Sequence, residues 1–185
     1  VVVPQPGFLQ GLSDLCRRYG ALLIFDEVQT GWGRLGTHFA ADLYNVRVDL
    51  LTSAKGAAGG FPVGVTLVDQ AIAAQVQPGD QGSTFGAGPL ACAAILATHQ
   101  VIQQEQLVQK AAAFGKLARQ LLPVPCRGEG ALLGLVLDRP CKPILGRLLE
   151  KGFIVGGSDD PQVMRLMPPL NMPPEALVEL GEALR

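Results

Sequence analysis

The run Ala21-Leu22-Leu23-Ile24-Phe25-Asp26-Glu27-Val28 constrains this chain more than any other segment. Its apolar residues are continuous rather than alternating. A strand with one wet face needs alternation, whereas a strand covered on both faces of a parallel sheet tolerates an unbroken apolar run. The run therefore predicts a doubly covered parallel strand with two carboxylates at its C-terminal end. Similar short runs predict strands at 48–52 and 63–68. Ahead of the first strand, Phe8, Leu12, Leu15 and Tyr19 recur at helical spacing, and Gly20 stands where a helix would stop.

Further along, short helices are expected over 38–45 and over 69–77, the latter capped by Asp69. Residues 78–88 read as an irregular glycine-rich loop. Pro89 then opens a long helix in a first-turn position, and a second helix follows at roughly 105–122. Pro123 and Pro125 mark a boundary. Beyond it come strands at 131–138, 153–155 and 163–167, with helices at 142–151 and from Pro174 onward. Strands alternating with helices indicate an α/β fold whose ligands sit at the strand C-termini. Two domains are expected, 1–122 and 123–185.

Composition narrows the partners. The chain is 48% hydrophobic with a net charge of −1, enough for a packed core and without a basic footprint for nucleic acid or an anionic membrane. Cys16, Cys92, Cys126 and Cys141 form no Cys-x-x-Cys pair and have no histidine at metal-ligand spacing, so they read as reduced thiols of a cytoplasmic protein with no metal. The opening Val1-Val2-Val3, without a methionine, reads like the middle of a longer protein.

Two charged residues follow buried strands. By itself Asp26 reads as a helix cap or a solvated strand end, and Lys55 as a solvated loop lysine. Together they form a strand-end carboxylate and a strand-end amine able to face one crevice. Pyridoxal phosphate chemistry needs that pair: an amine to form a Schiff base, and an acid to keep the pyridine nitrogen protonated. Gly82-Ser83-Thr84 offers small residues and hydroxyls for a phosphate. A rival motif lies at Gly31-Trp32-Gly33-Arg34-Leu35-Gly36, which matches the G-x-G-x-x-G dinucleotide fingerprint. Five residues separate the strand end from its first glycine, only a short helix follows, and Asp26 would repel a pyrophosphate. A nicotinamide-binding module stays as an alternative on that motif alone.

Four strings in order, LLIFDEVQTGWGRLG, DLLTSAKGAAGGFPVG, GSTFGAGPLACAA and VMRLMPPL, resemble the class III aminotransferases over essentially the whole chain, and most of all the acetylornithine aminotransferase group. The resemblance implies a fold-type I PLP-dependent transferase: part of the large domain, then the C-terminal small α/β domain. It implies pyridoxal 5'-phosphate as cofactor, and transfer of an amino group from an ornithine-type or other ω-amino donor to 2-oxoglutarate. It also implies a homodimer with shared active sites. Position by position, it makes Lys55 the Schiff-base residue and Asp26 the partner of the ring nitrogen. Val28 would pack on the ring face and Gln29 would lie near the ring hydroxyl. Thr84 would bind the phosphate of the neighbouring subunit, and Arg165 would clamp the substrate α-carboxylate. Glu27 and Arg34 receive no direct chemistry and read as members of local networks.

The chain departs from the pattern in places. Gly86-Ala87-Gly88-Pro89 stands where the family commonly has Gly-Gly-Asn-Pro, Leu35 where a threonine is common, and Asn171 where the family runs apolar. The family's front half, with its main phosphate loop and ring-stacking aromatic, has no counterpart in these residues. The isolated chain is therefore expected to expose a strand edge and apolar surface, and to be catalytically incomplete. A truncated, inactive remnant is the other reading.

Overall fold

In the computed structural model, which describes all 185 residues, segment 21–28 contributes only a short strand, β1 (Ile24–Asp26), preceded by helix α1 (Phe8–Tyr19). The helix ends as its sequence dictates. Gly20 turns left-handed at φ 64°, and the next amide, Ala21 N–H, closes back onto the Cys16 carbonyl at 2.9 Å. A short helix α2 (Ala40–Leu43) and strand β2 (Leu50–Ser53) follow. β2 runs parallel to β1, while β3 (Val65–Val68) returns antiparallel to β2, giving the order β1-β2-β3. Helix α3 (Gln70–Ala73) is capped by Asp69, whose Oδ1 accepts from Ala71 N–H at 2.9 Å. Helix α4 (Pro89–Gln104) starts at Pro89, where a missing N–H leaves no bond unmade. These elements belong to one compact unit, Gln5–Trp32 with Thr37–Glu105.

One expectation fails here. β1 is not covered on both faces. Leu22 is 57% and Ile24 55% exposed, and β1 is an edge strand of its sheet. The apolar run is real, but the elements present cover only the opposite face, where Glu27, Leu51 and Ser53 are buried. The predicted stripe of α1 is likewise uncovered at Phe8, Leu15 and Tyr19.

The second unit comprises Val1–Pro4, Gly33–Gly36 and Gln106–Arg185. Helix α5 (Leu107–Leu121) leads into a hairpin of β4 (Cys126–Glu129) and β5 (Leu132–Val136). Helix α6 (Lys142–Glu150), strand β6 (Val163–Leu166) and helix α7 (Glu175–Leu184) complete it, with sheet order β4-β5-β6, all antiparallel. Its core is well closed: Leu133, Leu135 and Met164 are fully buried, with Ala118, Leu148, Leu177 and Leu180 packed among them. The β4–β5 turn must pass close to α5. A β-carbon on Gly115 would lie 2.6 Å from the Gly130 carbonyl oxygen, and Gly130, at φ 53°, would place one 2.4 Å from the Leu35 carbonyl carbon, so both positions need glycine. Strand β4 is an addition to the sequence reading. Its Cys-Arg-Gly-Glu carries no apolar alternation, and pairing with β5 makes it a strand. The strand expected at 153–155 does not form; only a single bridge joins Gly156 to Arg165. The glycines at 152, 156 and 157 give that segment little to pack.

Candidate active site

Asp26 and Glu27 are neighbours in sequence with opposite fates. Side chains alternate across a strand, so consecutive acids must point to opposite faces. β1 and β2 pair Asp26 with Thr52. On that face, Thr52 Oγ1 donates to Asp26 Oδ1 at 3.0 Å, and Val28 N–H donates to the same oxygen at 3.2 Å. Asp26 is exposed, and its Oδ2 accepts from no protein group. Glu27 lies on the other face and is 1% exposed. Its Oε2 accepts from Thr30 Oγ1 at 2.8 Å and from Ala40 N–H at 2.6 Å, and its Oε1 accepts from Ala41 N–H at 2.9 Å. A buried carboxylate is tolerable only with such donors. Glu27 thus ties Thr30 to the start of α2.

Lys55 follows β2 directly. It is exposed and adopts φ 45°, a left-handed conformation unusual for a residue with a side chain. A short 3-10 turn, Lys55–Ala58, starts there and buries Ala57 and Ala58. Such strain persists only where the surroundings impose it, and it clusters at functional positions. Thr52 precedes Lys55 by three residues and pairs with Asp26, so the acid and the amine emerge at the same end of adjacent parallel strands. Val28, half-buried, and Gln29, exposed, leave β1 at that end. Ser83 and Thr84 lie in the exposed loop before α4. Neither makes a hydrogen bond to Asp26 or Lys55. Within the loop, Gly86 is pinned by Ser83: a β-carbon there would lie 2.8 Å from Ser83 Cβ.

The "Aminotransferase class-III" family model matches residues 1–185. The chain belongs to the class III aminotransferases. It is 38% identical over 179 residues to acetylornithine aminotransferase of Methanothermobacter thermautotrophicus, covering 92% of this chain and 46% of that protein. Against acetylornithine aminotransferase 1 of Bordetella parapertussis it is 44% identical over 172 residues, covering 88% and 44%. The crystal structure of acetylornithine aminotransferase from Elizabethkingia anophelis superimposes with a TM-score of 0.89 at 33% identity, over 98% of this chain and 51% of that one. The chain spans about half the length of these relatives, and its α/β fold is that of the fold-type I PLP-dependent aminotransferases over that half.

In this class III aminotransferase chain the glycines of 31–36 serve packing, which removes the support for a nicotinamide site. Gly36 lies too close to Ala112 for a β-carbon, and a β-carbon on Gly31 would press on the Glu27 carbonyl and the Phe39 ring at 3.0 Å. Trp32 sits at φ 59° and donates its indole N–H to Ser53 Oγ at 2.7 Å, while Phe39 and His99 meet its ring edge-on. Arg34 acts in the C-terminal unit. Its Nη1 donates to the carbonyls of Ala131 and Pro168, and its own carbonyl accepts from Ala131 N–H at 2.9 Å. Burial pulls its guanidinium below the ordinary arginine range.

Arg165 also belongs to that unit. It sits on β6, opposite Gly134 of β5. Its N–H donates to the Gly156 carbonyl at 2.7 Å, and no acid pairs with its guanidinium. It is the one charged residue lining an otherwise apolar groove of about 500 Å³, between Phe153, Met167, Pro169 and Leu180.

Proposed function

We propose that the chain carries the lysine-and-aspartate half of a transaminase site for pyridoxal 5'-phosphate. The observation that carries this is the pairing of strand ends. Lys55 and Asp26 close adjacent parallel strands at the same end, Lys55 left-handed and unpaired, Asp26 with one oxygen satisfied and the other free. The residues fit the group. Asp26 Oδ2 is available to the proton of the ring nitrogen, and the Lys55 amine has no competing acid. When bound, the cofactor supplies an electron-withdrawing ring that acidifies the substrate carbon bearing the amino group.

The chain's own residues supply the rest. Asp26 holds the ring nitrogen protonated. Lys55 would hold the cofactor through its amine, and that amine would move the proton at the donor carbon as base and then acid. Val28 would pack on the ring and Gln29 would lie beside its hydroxyl. Ser83 and Thr84 contribute hydroxyls to a phosphate, Thr84 to that of the second subunit in a homodimer. Arg165 binds the substrate carboxylate, a role its planar fork suits and its unpaired state permits. The substrate class is an ornithine-type or other ω-amino donor, with 2-oxoglutarate as acceptor. Relatives named acetylornithine aminotransferase and succinylornithine transaminase support that class. We place the boundary between the family's large and small domains after Leu122.

Borohydride reduction in the presence of pyridoxal phosphate should label Lys55, and Lys55→Ala should abolish the label. Stoichiometric labelling of the variant would sink the assignment. Asp26→Asn should lower turnover far more than cofactor affinity when the chain is joined to a class III front half. A second reading, that these 185 residues alone do not turn over, is favoured by the exposed Leu22 and Ile24 at the β1 edge and by the half-length match. Robust transamination by the purified chain would refute it.

A further inference from the structure

We infer that Thr52 is a positioning residue that fixes which carboxylate oxygen of Asp26 meets the cofactor ring nitrogen, an inference resting on the site proposed above. A carboxylate on an exposed strand end rotates freely unless a donor holds one oxygen. Here two donors converge on the same atom: Thr52 Oγ1 at 3.0 Å from the neighbouring strand, and Val28 N–H at 3.2 Å from the following loop. Both leave Oδ2 free. The Val28 amide is fixed by the backbone, so the variable element is the hydroxyl.

The parallel register supplies the reason for a threonine here. Asp26 and Thr52 are a paired position and their side chains share a face. One residue later the same register pairs a different function, with Ser53 turned to the buried face, where it receives the Trp32 indole and donates to the Glu27 carbonyl at 3.4 Å. Two adjacent hydroxyls thus serve opposite faces, Ser53 holding the loop and Thr52 aiming the acid. Thr52 touches neither cofactor nor substrate in this scheme. It acts only through Asp26.

The test compares two ligands on the full chain: pyridoxal phosphate, and its analogue with carbon in place of the ring nitrogen. Dissociation constants are read by equilibrium dialysis, so no turnover is needed. The parent should prefer pyridoxal phosphate, because only that ligand offers a proton to Asp26. Thr52→Val keeps the shape and removes the donor. It should weaken pyridoxal phosphate by about tenfold, the scale of a hydrogen bond to a charged group, and leave the analogue within about twofold. Thr52→Ser should restore the preference. Equal weakening of both ligands would show a merely structural role and overturn the inference, as would an unchanged preference in Thr52→Val. Asp26→Ala separates the two levels. If it abolishes the preference while Thr52→Val does not, only the role of Thr52 fails. If Asp26→Ala retains the preference, or the parent shows none, the site assignment fails and this inference with it.

Discussion

Replacing Glu27 by Gln leaves the side chain's size unchanged and removes its charge, so it isolates the electrostatic part of the anchor. The carboxylate accepts three hydrogen bonds, two at Oε2 from Thr30 and Ala40 and one at Oε1 from Ala41. An amide has one acceptor oxygen. Whichever way the amide is turned, an NH₂ group must face at least one backbone N–H. The gentlest placement sets it against Ala41 and sacrifices one charge-assisted bond, about 1.5–3 kcal/mol, while the other two weaken to neutral strength. We expect a total loss of about 3 kcal/mol, roughly 6–12 °C if the chain melts in one transition. The assay is urea unfolding followed by Trp32 fluorescence, since Trp32 is the single tryptophan and is tied to the same loop through Ser53. Thr30→Val is the control. It removes one donor and leaves the carboxylate to the two amides, so it should cost about 1 kcal/mol. An unchanged midpoint in Glu27→Gln, or a loss in Thr30→Val as large, would refute the reasoning that the buried charge holds this loop.

Other expectations follow from single positions. Ala87 sits at φ 52°, a conformation that costs a side-chain-bearing residue about 1–2 kcal/mol. Ala87→Gly relieves that strain against added freedom in the unfolded chain, so it should raise the unfolding free energy by about 0.5–1 kcal/mol; a decrease would contradict it. The Asp69 carboxyl is held below its ordinary 3.8 by the Ala71 amide first and Arg47 second. A depressed folded value means a contribution complete above about pH 4 and lost as the pH falls through the lower folded value. The stability gap between parent and Asp69→Asn should therefore be constant from roughly pH 5 to 7 and close toward pH 2; a gap that widens with acid would be the wrong sign. Burial pushes the Cys126 thiol above its ordinary 9.0, whereas Cys92 is exposed. A thiol reagent at pH 8 should modify Cys92 well before Cys126, and mass mapping of the first adduct checks the order.

Much of the framework is local and therefore legible in the residues. α1 stops at Gly20, α4 starts at Pro89 and α3 is capped by Asp69, because each signal acts within one turn of the backbone. The strand-end placement of Asp26 and Lys55 is legible too, since apolar runs ending in a charge mark where a sheet surrenders its side chains to a crevice. Tertiary contact decided the rest. Nothing in Asp-Glu says which acid is buried; the pairing of β1 with β2 turns Glu27 inward and leaves Asp26 out, and a register one residue away would exchange them. The left-handed turn of Lys55 is invisible in a string of Ala-Lys-Gly. Strand β4 exists because β5 offers it an edge, and a peptide with its composition has no reason of its own to extend. The apolar run at 21–28 announces a strand meant to be covered on both faces, but cover is a property of neighbours, and the neighbours present reach only one face.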